Sequence, residues 1–344
     1  MGKRRIYVAY VGGTIGMRNT PRGFAPAPGF LAQQLAENPL LRSPELPEFV
    51  LKEYDPLLDS SNMGPGDWLR IAEDIRVQID QFDGVLVIHG TDTMAYTAAA
   101  LSFMLENLGK PVIITGSQMP LCRIRSDGFD NLITSLILLE RYADRIAEVC
   151  VYFGGRFLRG NRSKKIDGEF FAAFDSPNLP RLGTVGIDFE LNWDLIRPPI
   201  PGRAPLRVQV IGDATVAAFR LFPGLKAESL GHMLESVQGL VLECYGSGNA
   251  PHRDKAFMEV LRQATARGVV IVDVPQPIHG CADLSLYETG QALLDVGVIS
   301  GFDMTPEAAL AKLLYLLARE DSVEQVRALM QTDLRGELSL PEPG

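Results

Sequence analysis

Short runs of apolar, often β-branched residues alternate along the chain with stretches in which apolar side chains return every three or four positions. The runs are "RIYVAY", "FVLKEY", "GVLVIH", "PVIITG" and "EVCVYF" in the first part, then "TVAAFRLF", "GLVLEC" and "GVVIVDV" further on. A continuous apolar run of this length suits a strand buried on both faces, whereas the longer spacing marks one face of a helix. Trp68, Ile71, Ala72, Ile75, Ile79 and Phe82 hold that helical spacing, as do Met94, Ala98, Leu101, Leu105 and Leu108. Strand and helix in alternation predict an α/β fold, a doubly wound, mainly parallel sheet with crossover helices covering it.

Local punctuation adds boundaries. The second helix is predicted to end at "NLGKP", where Gly109 suits the left-handed residue past a helix and Pro111 prevents continuation. Around 191 to 206, "LNWDLIRPPIPGRAPL" carries four prolines without a clear period, the mark of an extended linker. The expected division is a larger N-terminal domain over 1–192, a linker over 193–206 and a smaller C-terminal α/β domain over 207–344. That last domain is expected to finish in two helices, near 305–319 and 322–331. A length of 344 residues, more than one core usually serves, agrees with two domains. No internal repeat of solenoid length is visible.

Charge and composition narrow the partners. The net charge is −9, from 33 basic and 42 acidic residues, and no long basic run exists to neutralise a phosphate backbone, so nucleic acid is not an expected partner. The start, "MGKRRIYVAYVGG", is basic, but its apolar run breaks at glycine after six residues, too short for a signal-peptide core. Ile6 stands where a myristoylation motif wants Ser or Thr, and no stretch approaches the roughly 18 uncharged apolar residues of a membrane span. A soluble, cytosolic protein with no membrane partner is expected. Cys122, Cys150, Cys244 and Cys281 form no C-x-x-C pair. His89, His232, His252 and His279 show no ligand spacing beyond His279 near Cys281, so no metal is expected.

In an open parallel sheet the ligand crevice lies past the carboxyl ends of the strands. Four successive ends share one character there: "GGTIG" with Thr14, "DSSN" with Asp59, Ser60 and Ser61, "HGTDT" with Thr91, Asp92 and Thr93, and "TGSQ" with Thr115 and Ser117. Taken alone, each has a plainer explanation, since Ser, Thr and Asp are favoured helix caps and turn residues. Four in register point instead to one site rich in hydroxyls and carboxylates, with His89 as its only histidine. The glycines before Thr14 permit a sharp turn and close approach of a ligand. A dinucleotide fingerprint does not fit, because glycines stand at 12, 13 and 16, and "YGSGNAP" has Pro251 where a third glycine belongs. No P-loop or G-x-S-x-G elbow occurs.

With these motifs in order, the chain resembles the bacterial cytosolic (type I) L-asparaginases of the asparaginase/glutaminase fold. The resemblance is carried by "YVGGTIGM", "YDPLLDSSNM", "HGTDTMAYTAAALSFMLENLGKPVIITGSQ", "RSDG", "RGNRSKK", "SPNLP", "YGSGNAP" and "GVISGFDMT", and covers essentially the whole chain. It implies hydrolysis of the side-chain amide of asparagine to aspartate and ammonia through a threonine acyl-enzyme, without metal or organic cofactor. It also implies a homodimer or homotetramer with active sites near subunit interfaces. Carried over, Thr14 is the nucleophile, Asp59 and Ser60 hold the substrate's α-amino and α-carboxyl groups with Ser61 beside them, and Ser117 joins the substrate-binding set. Thr91, Asp92 and Lys165 form the second catalytic set, with Thr91 and Asp92 also touching substrate. Lys164 stands where the family often has Thr and is expected in a solvated loop. A threonine hydroxyl is a weak nucleophile whose proton must be accepted by a neighbour, and the oxyanion needs fixed donors, expected from backbone N–H groups near Thr91 and the glycine turn. Lys165, beside the Asp92 carboxylate, is expected to shuttle a proton through Thr91.

The sequence also departs from that pattern. Relatives often carry a tyrosine in the mobile loop after the nucleophile, but "RNTPRGFAPAPG" has Phe24, which offers no O–H. Tyr287 in "LSLYETGQA" is the candidate replacement, since in relatives this segment reaches the neighbouring subunit's active site. Glu243 stands where some allosteric members have an arginine, and Pro277 where they have a cysteine, so a hyperbolic response to asparagine is expected. Two rival functions share parts of the pattern: the asparaginase-like subunit of a tRNA-dependent amidotransferase, and a non-catalytic amino-acid sensor. The acidic charge speaks against the first, and retention of Thr14, Thr91, Asp92 and Lys165 against the second.

Overall fold

In a computed structural model, which describes residues 2–340, the chain divides into two units. One holds the residues up to Ser176 together with Pro180–Val208, the other Pro177–Leu179 and the residues from Gln209 on.

Among the described residues, the first unit contains an eight-stranded sheet. Its order runs Phe189–Leu191, Gly183–Val185, Arg156–Arg159, Val149–Phe153, Val112–Thr115, Gly84–Ile88, Arg5–Gly12, Glu48–Leu58. The five strands from Val149–Phe153 to Glu48–Leu58 are parallel, and the remaining three join antiparallel at one edge. Burial on both faces explains the unbroken apolar runs: seven of the eight residues in Arg5–Gly12 are buried. Ile6, Val8 and Tyr10 pack into one cluster with Leu86, Ile88 and Ile113 of the neighbouring strands and with Leu132 and Leu136 of the Gly128–Tyr142 helix. The Pro65–Gln78 helix buries Trp68, Ile71, Ala72 and Ile75, four of the six positions its spacing marked, while Ile79 and Phe82 are buried past its end.

The second predicted helix ends earlier than expected. Met94–Met104 stops before Leu105, because Leu105–Glu106 pairs antiparallel with Arg207–Val208. Asn107, at φ 61, takes the left-handed position expected of Gly109, and its Nδ2 donates to the Pro205 carbonyl at 3.4 Å. Leu105 and Leu108 are still buried, so the apolar spacing runs on unchanged through a change of backbone. The proline-rich segment lies within the first unit, where the Arg203 guanidinium donates to the Leu108 carbonyl at 2.9 Å.

The second unit carries, among the described residues, a parallel four-stranded sheet in the order Val216–Arg220, Gly239–Cys244, Val270–Pro275, Ile299–Ser300. Its final helices, Pro306–Leu317 and Val323–Met330, match the expected pair. Lys312 and Glu337, both fully buried, form an ion pair at 2.5 Å. The Lys312 amine also donates to the Met330 and Thr332 carbonyls at 3.0 and 2.6 Å, which satisfies it inside the core. In the middle of this sheet Asp273 is fully buried, and among the described residues neither of its carboxylate oxygens has a hydrogen-bond partner.

Candidate active site

Glycines at the strand ends let three chain segments meet at backbone distance. Gly12 and Gly13 have φ of 142 and 103, where a side chain is strained. Space forbids one as well. A Cβ on Gly12 would run into the Leu58 carbonyl, and one on Gly13 into the Gly90 backbone, with the His89 carbonyl carbon at 2.8 Å. A Cβ on Gly90 would in turn lie 2.7 Å from the Ser60 Cβ and 3.3 Å from the Gly13 Cα. Thr14 follows Gly13 and Thr91 follows Gly90, so this contact brings the turns bearing Thr14, Ser60 and Thr91 to one place. The Thr93 hydroxyl closes it by donating to the Ser60 carbonyl at 2.7 Å. Asp59 caps its own turn, accepting from the Ser61 N–H at 3.1 Å, and stands exposed beside the buried Ser60.

Lys165 reaches this place from a segment 74 residues beyond Thr91 in the chain. Lys164–Lys165 pairs antiparallel with Phe174–Asp175, which fixes the backbone. The Lys165 amine donates to the Thr91 hydroxyl oxygen at 2.9 Å and to Asp92 Oδ1 at 3.1 Å. Thr91 is buried and Asp92 is largely exposed, so a proton on the amine lies between an enclosed hydroxyl and a solvated carboxylate.

The fourth strand end is attached through the third, the His89 N–H donating to the Thr115 carbonyl at 2.8 Å. Ser117 is buried, and among the described residues its hydroxyl has no hydrogen-bond partner. The loop around it is held by Asp127, whose carboxylate accepts from the Gln118 and Met119 N–H groups at 3.0 to 3.1 Å. Asn131 completes the frame, donating to the Gly116 carbonyl at 3.0 Å and accepting from the Gly154 N–H at 3.0 Å. From the sequence alone, Asp127 in "RSDG" has no evident task. The signal was its acidic residue just before the Gly128–Tyr142 helix, which here serves the loop instead of capping the helix.

His89 is not a base in this site. Its Nδ1 lies 2.6 Å from the Gly90 carbonyl, which only accepts, so Nδ1 carries the proton. Nε2 accepts from the Thr97 hydroxyl at 2.9 Å, whose oxygen receives the Trp68 indole N–H at 3.1 Å. Complete burial lowers the His89 pKa to about 4 and keeps the ring neutral.

Phe24 and Tyr287 stand on two other segments. The segment bearing Phe24 is an antiparallel hairpin, Met17–Thr20 with Gly23–Pro26, and Phe24 is exposed on it opposite Asn19. Tyr287 belongs to the second unit, half exposed at the start of the Glu288–Asp295 helix. Among the described residues no three His, Cys, Asp or Glu side chains gather in a way that could hold a metal ion. No helix among them is long and apolar enough to cross a membrane.

Residues 5–197 match the family described as asparaginase, N-terminal, and residues 215–330 the glutaminase/asparaginase C-terminal domain. The chain belongs to the asparaginase family. As a member it is a hydrolase acting on amides. It is 48% identical over 341 residues to L-asparaginase 1 of Escherichia coli K12, covering 98% of this chain and 99% of that one. The crystal structure of L-asparaginase I from Vibrio cholerae superposes with a TM-score of 0.90 at 46% identity, over 98% of this chain and 100% of that one. The thermostable L-asparaginase of Thermococcus kodakarensis superposes at 0.87 with 31% identity, again over 98% and 100%.

Proposed function

We propose that this asparaginase-family chain hydrolyses L-asparagine to aspartate and ammonia through an acyl-enzyme on Thr14. The observation that carries the proposal is the Lys165 amine, 2.9 Å from the Thr91 hydroxyl and 3.1 Å from Asp92, on the segment whose Gly90 packs against Gly13. Thr14 Oγ bonds to the side-chain amide carbon while its proton passes to Thr91 and the Thr91 proton to the Lys165 amine. Asp92 stabilises the ammonium so formed. Backbone N–H groups at the glycine turn and near Thr91 receive the oxyanion. When the tetrahedral intermediate collapses the C–N bond breaks, and the proton returns along the relay to leave with ammonia. Water attacks the ester by the same route and frees aspartate. The exposed Asp59 carboxylate suits the substrate's α-ammonium, Ser60 and Ser61 its α-carboxylate, and the unpartnered Ser117 hydroxyl is free to meet substrate.

We further assign Tyr287, in place of a phenol at position 24, to the active site of a neighbouring subunit in a cytosolic homodimer or homotetramer. Its half-exposed hydroxyl-bearing ring supports that role.

The test is Thr14→Ala. The variant is expected to keep its circular dichroism and lose ammonia release from asparagine, and mass spectrometry of wild-type protein during turnover should trap an acyl adduct on Thr14. Ammonia release by the variant at the wild-type rate would end the proposal.

A further inference from the structure

Just below the Thr14 turn two buried polar atoms have no hydrogen-bond partner among the described residues, the Tyr10 hydroxyl and Glu53 Oε2. Tyr10 and Glu53 are register partners on the adjacent parallel strands Arg5–Gly12 and Glu48–Leu58. Their side chains therefore leave the sheet on the same face, side by side. Burial first, and the Glu53 charge second, hold the Tyr10 phenol above its usual range, so it remains a donor at every pH of interest. An unsatisfied donor thus stands beside an unsatisfied acceptor, an arrangement that native cores rarely keep without a reason.

Their remaining contacts reach the two ends of a single segment. A Cβ on Gly16 would overlap the Tyr10 hydroxyl, with the ring carbon Cζ at 2.7 Å, so the phenol lies flush against the last residue of the Thr14–Gly16 turn. Glu53 Oε1 accepts from the Gly29 N–H at 2.6 Å. Gly29, left-handed at φ 76, opens the Phe30–Glu37 helix. Between Gly16 and Gly29 runs the hairpin of Met17–Thr20 and Gly23–Pro26. One strand-to-strand pair therefore supports both the point where the hairpin leaves the nucleophile turn and the point where it returns to the core.

We propose that Tyr10 and Glu53 are positioning residues for the acyl-transfer step, their side chains joining in a Tyr10 O–H to Glu53 Oε2 hydrogen bond when substrate occupies the site and so locking the Thr14 turn and the hairpin together. The proposal rests on Thr14 as nucleophile. The bond is open in the free chain and closed in the substrate complex, so its free energy appears in turnover and not in the stability of the free protein. No covalent change is involved, and neither residue touches the reacting atoms.

Tyr10→Phe removes the hydroxyl and keeps the ring that packs on Gly16, and Glu53→Gln keeps an acceptor for Gly29 while removing the charge. Each is expected to lower kcat about tenfold, the size of a hydrogen bond to a charged group, with KM changed much less. The thermal midpoint of the free Tyr10→Phe protein is expected to stay equal or rise, because an unsatisfied buried group has been removed. The double variant should lose no more than either single one, since both remove the same bond. Full kcat in Tyr10→Phe would overturn the proposal. A kcat loss matched by a comparable loss of stability would also overturn it, leaving Tyr10 as core packing. Trapping the Thr14 acyl adduct in wild-type protein keeps these outcomes separate from a failure of the Thr14 assignment.

Discussion

Lys165 divides its hydrogen bonds between Thr91 and Asp92, and this sharing makes the three side chains one device. Asp92→Asn and Lys165→Met are each expected to remove most of the activity, and the double variant to lose little more, because residues that act as a unit give non-additive losses. Ammonia release measured on all three decides the matter, and losses that multiply would show two independent roles. The types and order of these residues were legible in "HGTDT" and "RGNRSKK". His89 was the residue on which the sequence was ambiguous. Only its burial and its two occupied ring nitrogens take it out of the proton chemistry.

At the scale of elements, the end of the Met94–Met104 helix shows how tertiary pairing overrides local pattern. "NLGKP" offers a glycine and a proline in the expected places, yet the helix gives way to a two-residue strand that pairs with Arg207–Val208, supported by Glu106 and Arg207 at 3.3 Å. Asn107 therefore carries the left-handed turn. Asn107→Gly and Asn107→Ala lose the same side-chain bond to Pro205, so the difference between them isolates the backbone conformation. Asn107→Ala is expected to be less stable than Asn107→Gly by about 1 kcal/mol in urea unfolding. Equal stabilities would show that the turn relaxes. The hairpin after Thr14 is a similar case, since "RNTPRGFAPAPG" stands in the place of a mobile loop and the chain pairs Met17–Thr20 with Gly23–Pro26.

On the scale of the whole molecule, two buried groups give stability a pH dependence of opposite sign. Asp273 has its pKa raised by desolvation from 3.8 to about 8, the larger effect, against the lowering influence of the neighbouring Cys244 thiol. Between those values the folded chain keeps a proton that the unfolded chain has lost, so stability falls as pH rises. His89, lowered from 6.5 to about 4, works in reverse: the unfolded chain takes up a proton the folded one refuses, and stability falls as pH drops through that window. The His89 contribution is shared by wild type and Asp273→Asn, so the difference between the two proteins isolates Asp273. Wild type is expected to lose up to about 2 kcal/mol relative to Asp273→Asn between pH 6.5 and pH 8, from roughly 1.4 kcal/mol per pH unit. Calorimetry of both proteins across that range tests it, and a constant difference would show that Asp273 is already ionised in the folded chain.

Alternating apolar runs and helical spacings were enough to predict a parallel α/β sheet, because strands buried on both faces and helices covering them leave different periods in the sequence. Hydroxyl and carboxyl residues at four strand ends were enough to pick out a candidate site, because parallel topology gathers those ends on one side. What the sequence left open was decided by contacts between distant segments. Gly13 against Gly90 brings the turns before Thr14 and Thr91 together, Lys165 arrives through its pairing with Phe174, and Asp127 holds the Ser117 loop. The unsatisfied Tyr10 and Glu53 atoms were likewise invisible, since a missing hydrogen bond belongs to three-dimensional placement and leaves no mark on local periodicity.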